Sequence, residues 1–196
     1  MVTFGVFDHL DRRTGVPAQQ IYEDRLRLIA AYYRAGIAMY HLAEHHTTLL
    51  GLTPSPSIFL SAVAQRTERM HFGPMVYCLP LYEPLRLVEE ISMLDQMSGG
   101  RFEFGVGRGI SPFEVVYFGI DKENAGPIYM EAFEVLMRGL TSEVLSFEGK
   151  HFHYDDVPML VAPVRTPPVW CGVATPDGAA WPASQKINVI SNAPCP

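Results

Sequence analysis

Short apolar runs alternate along this chain with longer segments whose apolar residues recur at helical spacing. Val2–Phe7 is expected to form a first buried strand. A polar loop and Pro17 then lead into a helix over Ala18–Ala35, with Ile21, Leu28, Ile29 and Tyr32 on one face and Gly36 at its end. Ala38–Leu42 reads as a second strand, and Ser57–Arg66 as a helix that Ser55 or Ser57 can cap. Met70–Tyr77, interrupted by Pro74, is a third strand, followed by an amphipathic helix over Leu85–Met97 that SGG closes. Arg101–Val106 is a fourth strand, after which come a glycine-rich loop, a solvated loop at Asp121–Glu123 and a helix over Ile128–Gly139. Val144–Asp155 has the pattern of a hairpin turning at Glu148–Gly149, with His151 and His153 on one exposed face. Val169–Val173 and Ile187–Ser191 supply the fifth and sixth strands, separated by a weak helix that contains Pro182.

Strands and helices alternating at this spacing argue for a parallel α/β sheet, either doubly wound and open or part of a (β/α)₈ barrel. With no internal repeat and no linker, residues 1–196 read as a single domain. A full barrel takes about 250 residues. The sequence stops within five residues of the sixth strand, so a barrel here is expected to be incomplete.

Composition narrows the function without naming it. A formal charge of −6 and the lack of a basic stripe argue against nucleic-acid binding. Cys78, Cys171 and Cys195 form no CxxC pair and no disulfide framework, which fits a reducing cytoplasm. The first residues do not read as a signal peptide, and no apolar run reaches membrane-spanning length.

Two stretches carry candidate chemistry. GVGRGI, Gly105–Ile110, has GxGxG spacing on the fourth strand, not the GxGxxG of a dinucleotide fold on the first. Its glycines would let the backbone approach a flat ring or a phosphate, and Arg108 offers a fork of donors to an anion. AEHH, Ala43–His46, follows the second strand, at the end where parallel sheets bind ligands. Adjacent residues of an extended chain point to opposite sides, so His45 and His46 do not readily share a metal, and no spacing recommends His9, His41 or Asp8 as further ligands. One histidine placed there suits proton chemistry, with Glu44 either fixing the loop or solvated. No GxSxG elbow supports a serine hydrolase, and the nine methionines read as core filling.

Taken in order, AEHH, GPMVYCLPLYEPLRLVEEISMLDQMSGGRFEFGVGRG and SFEGKHFHYDDV resemble the bacterial luciferase-like flavin monooxygenases from Val2 to about Ser191, the first three quarters of a family barrel. The resemblance implies a TIM-type (β/α)₈ barrel that uses reduced FMN, often supplied by a separate reductase, to oxidise a small organic substrate such as an aldehyde with O₂. A branch of the family uses F420 instead, and a relative that has lost barrel elements points to a non-catalytic flavin-binding protein as another outcome. The resemblance places the catalytic histidine at His45, with His46 as its structural neighbour, and the arginine that holds the flavin phosphate at Arg108, between Gly107 and Gly109. Gly107 stands where bacterial luciferase has a reactive cysteine. Met75–Val76 falls where the family often has a non-prolyl cis peptide against the flavin ring, and Ala174, Thr175 and Gly178 fall on its phosphate-binding turn, Gly178 replacing a hydroxyl residue. Homodimerisation through helices near the second and third strands is a further implication.

Overall fold

The computed structural model describes residues 2–109 and 111–191; Ile110 and Cys195 lie outside them. Wall strands and outer helices alternate as the apolar pattern requires. The strands are β1 (Gly5–Asp8), β2 (Met39–Leu42), β3 (His71–Pro74), β4 (Tyr77–Cys78), β5 (Phe104–Gly107), β8 (Val169–Val173) and β9 (Asn188–Ser191). The helices are α1 (Ala18–Arg34), α2 (Pro56–Arg66), α3 (Pro84–Ser98), α4 (Pro112–Tyr117), α5 (Lys122–Thr141) and α6 (Ala180–Ser184). A hairpin of β6 (Val144–Glu148) and β7 (His153–Pro158) interrupts the series after α5.

The wall runs β1-β2-β3 in one sheet and β4-β5-β8-β9 in another, with every neighbouring pair parallel. An isolated parallel bridge, Phe72 to Phe102, carries the wall across from β3 to the start of β5. This is the wall of a (β/α)₈-type barrel, in agreement with the sequence.

Alternation along the strands divides core from lumen. Tyr40, Leu42, Phe72, Phe102, Phe104 and Val106 are fully buried in the layer that also holds Ile29 of α1, Leu60 of α2 and Leu87 of α3. The opposite face of the same strands carries Gly73, Glu103, Gly105, Gly107 and Gly172. Burying a large aliphatic or aromatic side chain contributes about 1.5–3 kcal/mol, so this outer layer provides the main cohesion of the fold.

One stretch of the quoted resemblance, SGGR, is structural. Gly99 and Gly100 end α3 with φ of 67° and 79°. Arg101 then donates to Ala64 O, Met70 O, Thr67 Oγ1 and Ser98 O at 2.8–3.0 Å, pinning α2 and α3 to the start of β3.

Several expectations need correction. The first strand is shorter than expected and starts at Gly5, because Val2 and Phe4 are exposed instead of buried. On α1 the buried residues are Ile21, Leu26 and Ile29, and Leu28 faces outward. The third strand breaks at the cis peptide Met75–Val76, and Pro74 is its last paired residue. No side chain caps α2; Ser57 Oγ instead lies 2.8 Å from Tyr77 Oη. The segment after the glycine loop folds into α4, and α5 starts at Lys122, so Asp121–Glu123 forms its first turn. His151 and His153 do not share a face. The carboxylate of Glu131 on α5 accepts from the backbone of Lys150, His151 and Phe152, which tucks His151 in, whereas His153 is exposed beside Glu148.

Candidate functional site

Because the wall strands are parallel, their C-terminal ends open on one face, where the loops of such barrels place ligand-binding groups. Ala43–His46 leaves β2 there, Arg108 leaves β5, and Ala174–Thr175 leaves β8. Strands β5 and β8 are direct neighbours in register, Val106 against Cys171, so their two loops emerge side by side.

The two histidines occupy different environments. His45 Nδ1 lies 3.4 Å from Glu114 Oε1, and the same oxygen accepts from His46 N at 3.2 Å. A carboxylate can only accept, so Nδ1 is the donor in this contact, and in the neutral ring Nε2 then carries the lone pair. Glu114 is buried on α4, and the His45 ring stacks on His9 with centroids 5.4 Å apart and planes 11° from parallel.

His46 turns inward. Its Nε2 meets Glu44 Oε1 at 2.8 Å, and Glu44 Oε2 accepts from Tyr82 Oη at 2.7 Å and Cys78 N at 3.4 Å. Glu44 therefore fixes the loop and is not solvated. Burial pushes its carboxyl up from the usual range, against the opposing effect of its donors. Burial likewise raises the Cys78 thiol, which makes a thiolate there unfavourable.

Arg108 is exposed and has no hydrogen-bond or ion-pair partner among the described residues. Thr175 Oγ1 accepts from Gly178 N at 3.2 Å and keeps its own proton available to donate. Ala174, Thr175 and Gly178 are all exposed on this turn. A free guanidinium, a free hydroxyl proton and exposed backbone on neighbouring loops form a donor set that suits a phosphate.

The glycines of β5 have a use that the sequence did not show. A Cβ built at Gly107 would stand 2.5 Å from Val76 Cγ2, one at Gly105 2.9 Å from Val76 Cγ1, and one at Gly172 3.1 Å from the same methyl. The space they leave holds the Val76 side chain, which lies between β3 and β4. The close approach made possible here is therefore that of Val76, not directly that of a ring. Gly109, with φ of 90°, needs glycine for its backbone. Gly107→Ala is expected to cost about 1–3 kcal/mol, and Val76→Ala in the same chain to recover most of it. A denaturation double-mutant cycle measures that coupling.

Below the mouth, a polar cluster spans the lumen. Glu103 receives His41 Nε2 at 3.0 Å and Trp170 Nε1 at 2.9 Å, tying β2 and β8 to the start of β5. Burial raises its carboxyl, but the bonds from His41 and Trp170 outweigh burial and leave it below the usual range. Its stabilising contribution is then complete above the unfolded carboxyl value of about 4.3 and is lost as pH falls through the lower folded value. Glu103→Gln is expected to flatten the acid limb of the stability profile below about pH 4, as read by urea midpoints across pH.

The sequence does not point to Glu114, and it raises His9 only as a metal ligand that no spacing recommends. Glu114 is 69 residues from His45 and has no local signal. Glu44 and His46, two apart on extended chain, were detectable as a same-side pair. Among the described residues, no group of three or more His, Cys, Asp or Glu could hold a metal ion. No helix among them is long and apolar enough to cross a membrane.

A family model described as luciferase-like monooxygenase matches residues 2–194. The chain belongs to that family. An uncharacterised protein of Sinorhizobium fredii is 46% identical over 195 residues, covering 98% of this chain and 57% of that protein. The crystal structure of monooxygenase RslO1 from Streptomyces bottropensis matches with a TM-score of 0.90 and 27% identity, over 96% of this chain and 59% of that one. The oxygenating constituent of 3,6-diketocamphane monooxygenase from Pseudomonas putida, solved in complex with FMN, matches with a TM-score of 0.89 and 21% identity, over 97% of this chain and 57% of that one. This family chain thus spans little more than half the length of the proteins it matches.

Proposed function

We propose that this protein takes reduced FMN from a separate reductase at the C-terminal mouth and oxidises a small organic substrate, such as an aldehyde, with O₂. The observation that carries this reading is the unpaired, exposed Arg108 at the end of β5, beside the free donors of the turn after β8. Arg108 would hold the flavin phosphate, with the Thr175 hydroxyl and the backbone at Ala174 and Gly178 completing the grip. Met75–Val76, Gly107 and Gly109 would floor the ring. Bound reduced FMN would supply the electrons that reduce O₂.

His45 is the group this chain offers for moving a proton beside that ring. Its Nδ1–H is engaged by Glu114, which fixes the ring and leaves the Nε2 lone pair to accept a proton and return it. His46 stays engaged with Glu44 and holds the loop.

A second reading, flavin binding without turnover, is favoured by Gly107, which brings no thiol to the ring, and by Val76, which fills the room beside it. One experiment separates the two. Reduced FMN is supplied enzymatically under ¹⁸O₂ with a panel of small aldehydes and ketones. Label in an oxidised product above the free-flavin control supports the monooxygenase, and flavin binding without label supports the second reading. A folded sample that does neither sinks both.

A further inference from the structure

We infer that His9 is a positioning residue for His45, its imidazole serving as the plate against which the His45 ring is held. The stack itself is close and nearly parallel, at 5.4 Å and 11°. The edge of Phe7, whose centroid is 5.0 Å away at 69°, supports the His9 ring in turn.

The backbone around His9 is arranged to keep it there. Leu10, the next residue, has φ of 53°, in the left-handed region that non-glycine residues avoid. Three constraints impose that conformation. Its side chain is fully buried, its N–H is taken by Asp8 Oδ1 at 2.9 Å, and its carbonyl accepts from Leu52 N at 3.1 Å. Asp8 is itself anchored by Tyr40 Oη at 2.6 Å and Arg25 at 2.5 Å. On the facing loop Thr47, the residue after His46, also has a positive φ, 54°. Non-glycine residues at positive φ persist where the surroundings over-determine them, and they cluster at functional sites. Here one lies beside each half of the stack.

Gly51 closes the arrangement. A Cβ there would stand 2.5 Å from the His9 carbonyl oxygen and 3.7 Å from His45 Cδ2, so the loop carrying Gly51 seats both histidines. Glu114 fixes one nitrogen of His45 but leaves rotation about that bond, and the His9 face removes it. The two contacts together leave Nε2 at one orientation.

This assignment rests on the proposed role of His45 in proton transfer, and its test is read without flavin. Imidazole nuclear Overhauser spectra are recorded for wild type, His9→Phe and His9→Ala. Wild type and His9→Phe, which keeps a flat ring, are expected to show one fixed set of contacts from the His45 ring protons; His9→Ala is expected to show averaged contacts, with the nitrogen held by Glu114 unchanged. Unchanged His45 ring contacts in His9→Ala would overturn the inference, as would loss of the fixed contacts in a folded His9→Phe protein. In turnover, His9→Ala should lower the rate about tenfold to a hundredfold with flavin affinity held, and His9→Phe should restore most of it. Normal spectra with no turnover in any variant, wild type included, would count against the monooxygenase reading alone.

Discussion

Gly73→Ala is expected to leave the chain unable to reach a packed native state, with a loss greater than about 3 kcal/mol. The added Cβ would overlap the carbonyl oxygen of Glu103 and stand 2.7 Å from its carbonyl carbon. Those are backbone atoms and cannot turn away as a side chain can. Glu103 N donates to Phe72 O at 3.1 Å and Phe104 N to Pro168 O at 3.1 Å, so the strand is held from both sides. Moving it would also pull Glu103 away from His41 and Trp170 across the lumen. Gly126 in α5 provides the contrast: apart from its chain neighbours, nothing lies within 4 Å of its Cβ position. Gly126→Ala should change stability by less than about 1 kcal/mol, because the helical preference for alanine over glycine is opposed by the Pro127 ring, which crowds a Cβ on the residue before it. Chemical denaturation with near-ultraviolet circular dichroism reads both, and a cooperative, native-like Gly73→Ala protein would contradict this packing.

His45→Ala is expected to lower turnover by a factor of about 10²–10⁴ while leaving the affinity for flavin within about threefold, a change worth less than roughly 1 kcal/mol. The asymmetry follows from where the groups sit. The phosphate donors proposed on β5 and β8 do not involve His45, so binding survives its loss. His46 also meets a buried carboxylate, that of Glu44, but it is itself buried and turned inward. His46→Ala should fail differently. It strips a partner from buried Glu44, whose remaining donors are Tyr82 and Cys78 N. The expected result is a stability loss of about 1–3 kcal/mol. Steady-state kinetics beside urea unfolding distinguishes a lost chemical group from a loosened loop. If His46→Ala loses only activity and His45→Ala only stability, the two assignments are reversed.

The sequence carried the wall of the barrel because short apolar strands and amphipathic helices leave periodic traces, and β2, α2, α3, β5, β8 and the hairpin appear close to where that pattern put them. The pattern could not show that the third strand splits at Met75–Val76, since a cis bond between two ordinary residues has no compositional mark. Gly105 and Gly107 were legible as a close approach, but what approaches is Val76, from the break between β3 and β4. His45 was legible as the end of a parallel strand together with a family motif. Glu114 and His9 reach it through tertiary contact alone, from α4 and from the loop after β1. The sequence leaves Glu44 either fixing the loop or solvated, since a glutamate in a loop usually faces water. Its burial depends on Tyr82 and Cys78 N, which only folding brings together.

Arg108 and its neighbouring turn are proposed as the phosphate end of a flavin site. The most direct measurement is an anaerobic titration of folded protein with reduced FMN, repeated with oxidised FMN, with F420 and with Arg108→Ala. Saturable binding of reduced FMN is expected, weakening about tenfold to a hundredfold in Arg108→Ala, as when a charge-assisted contact worth about 1.5–3 kcal/mol is removed. Equal affinity in wild type and Arg108→Ala, or no binding by a folded wild-type chain at millimolar flavin, would contradict it.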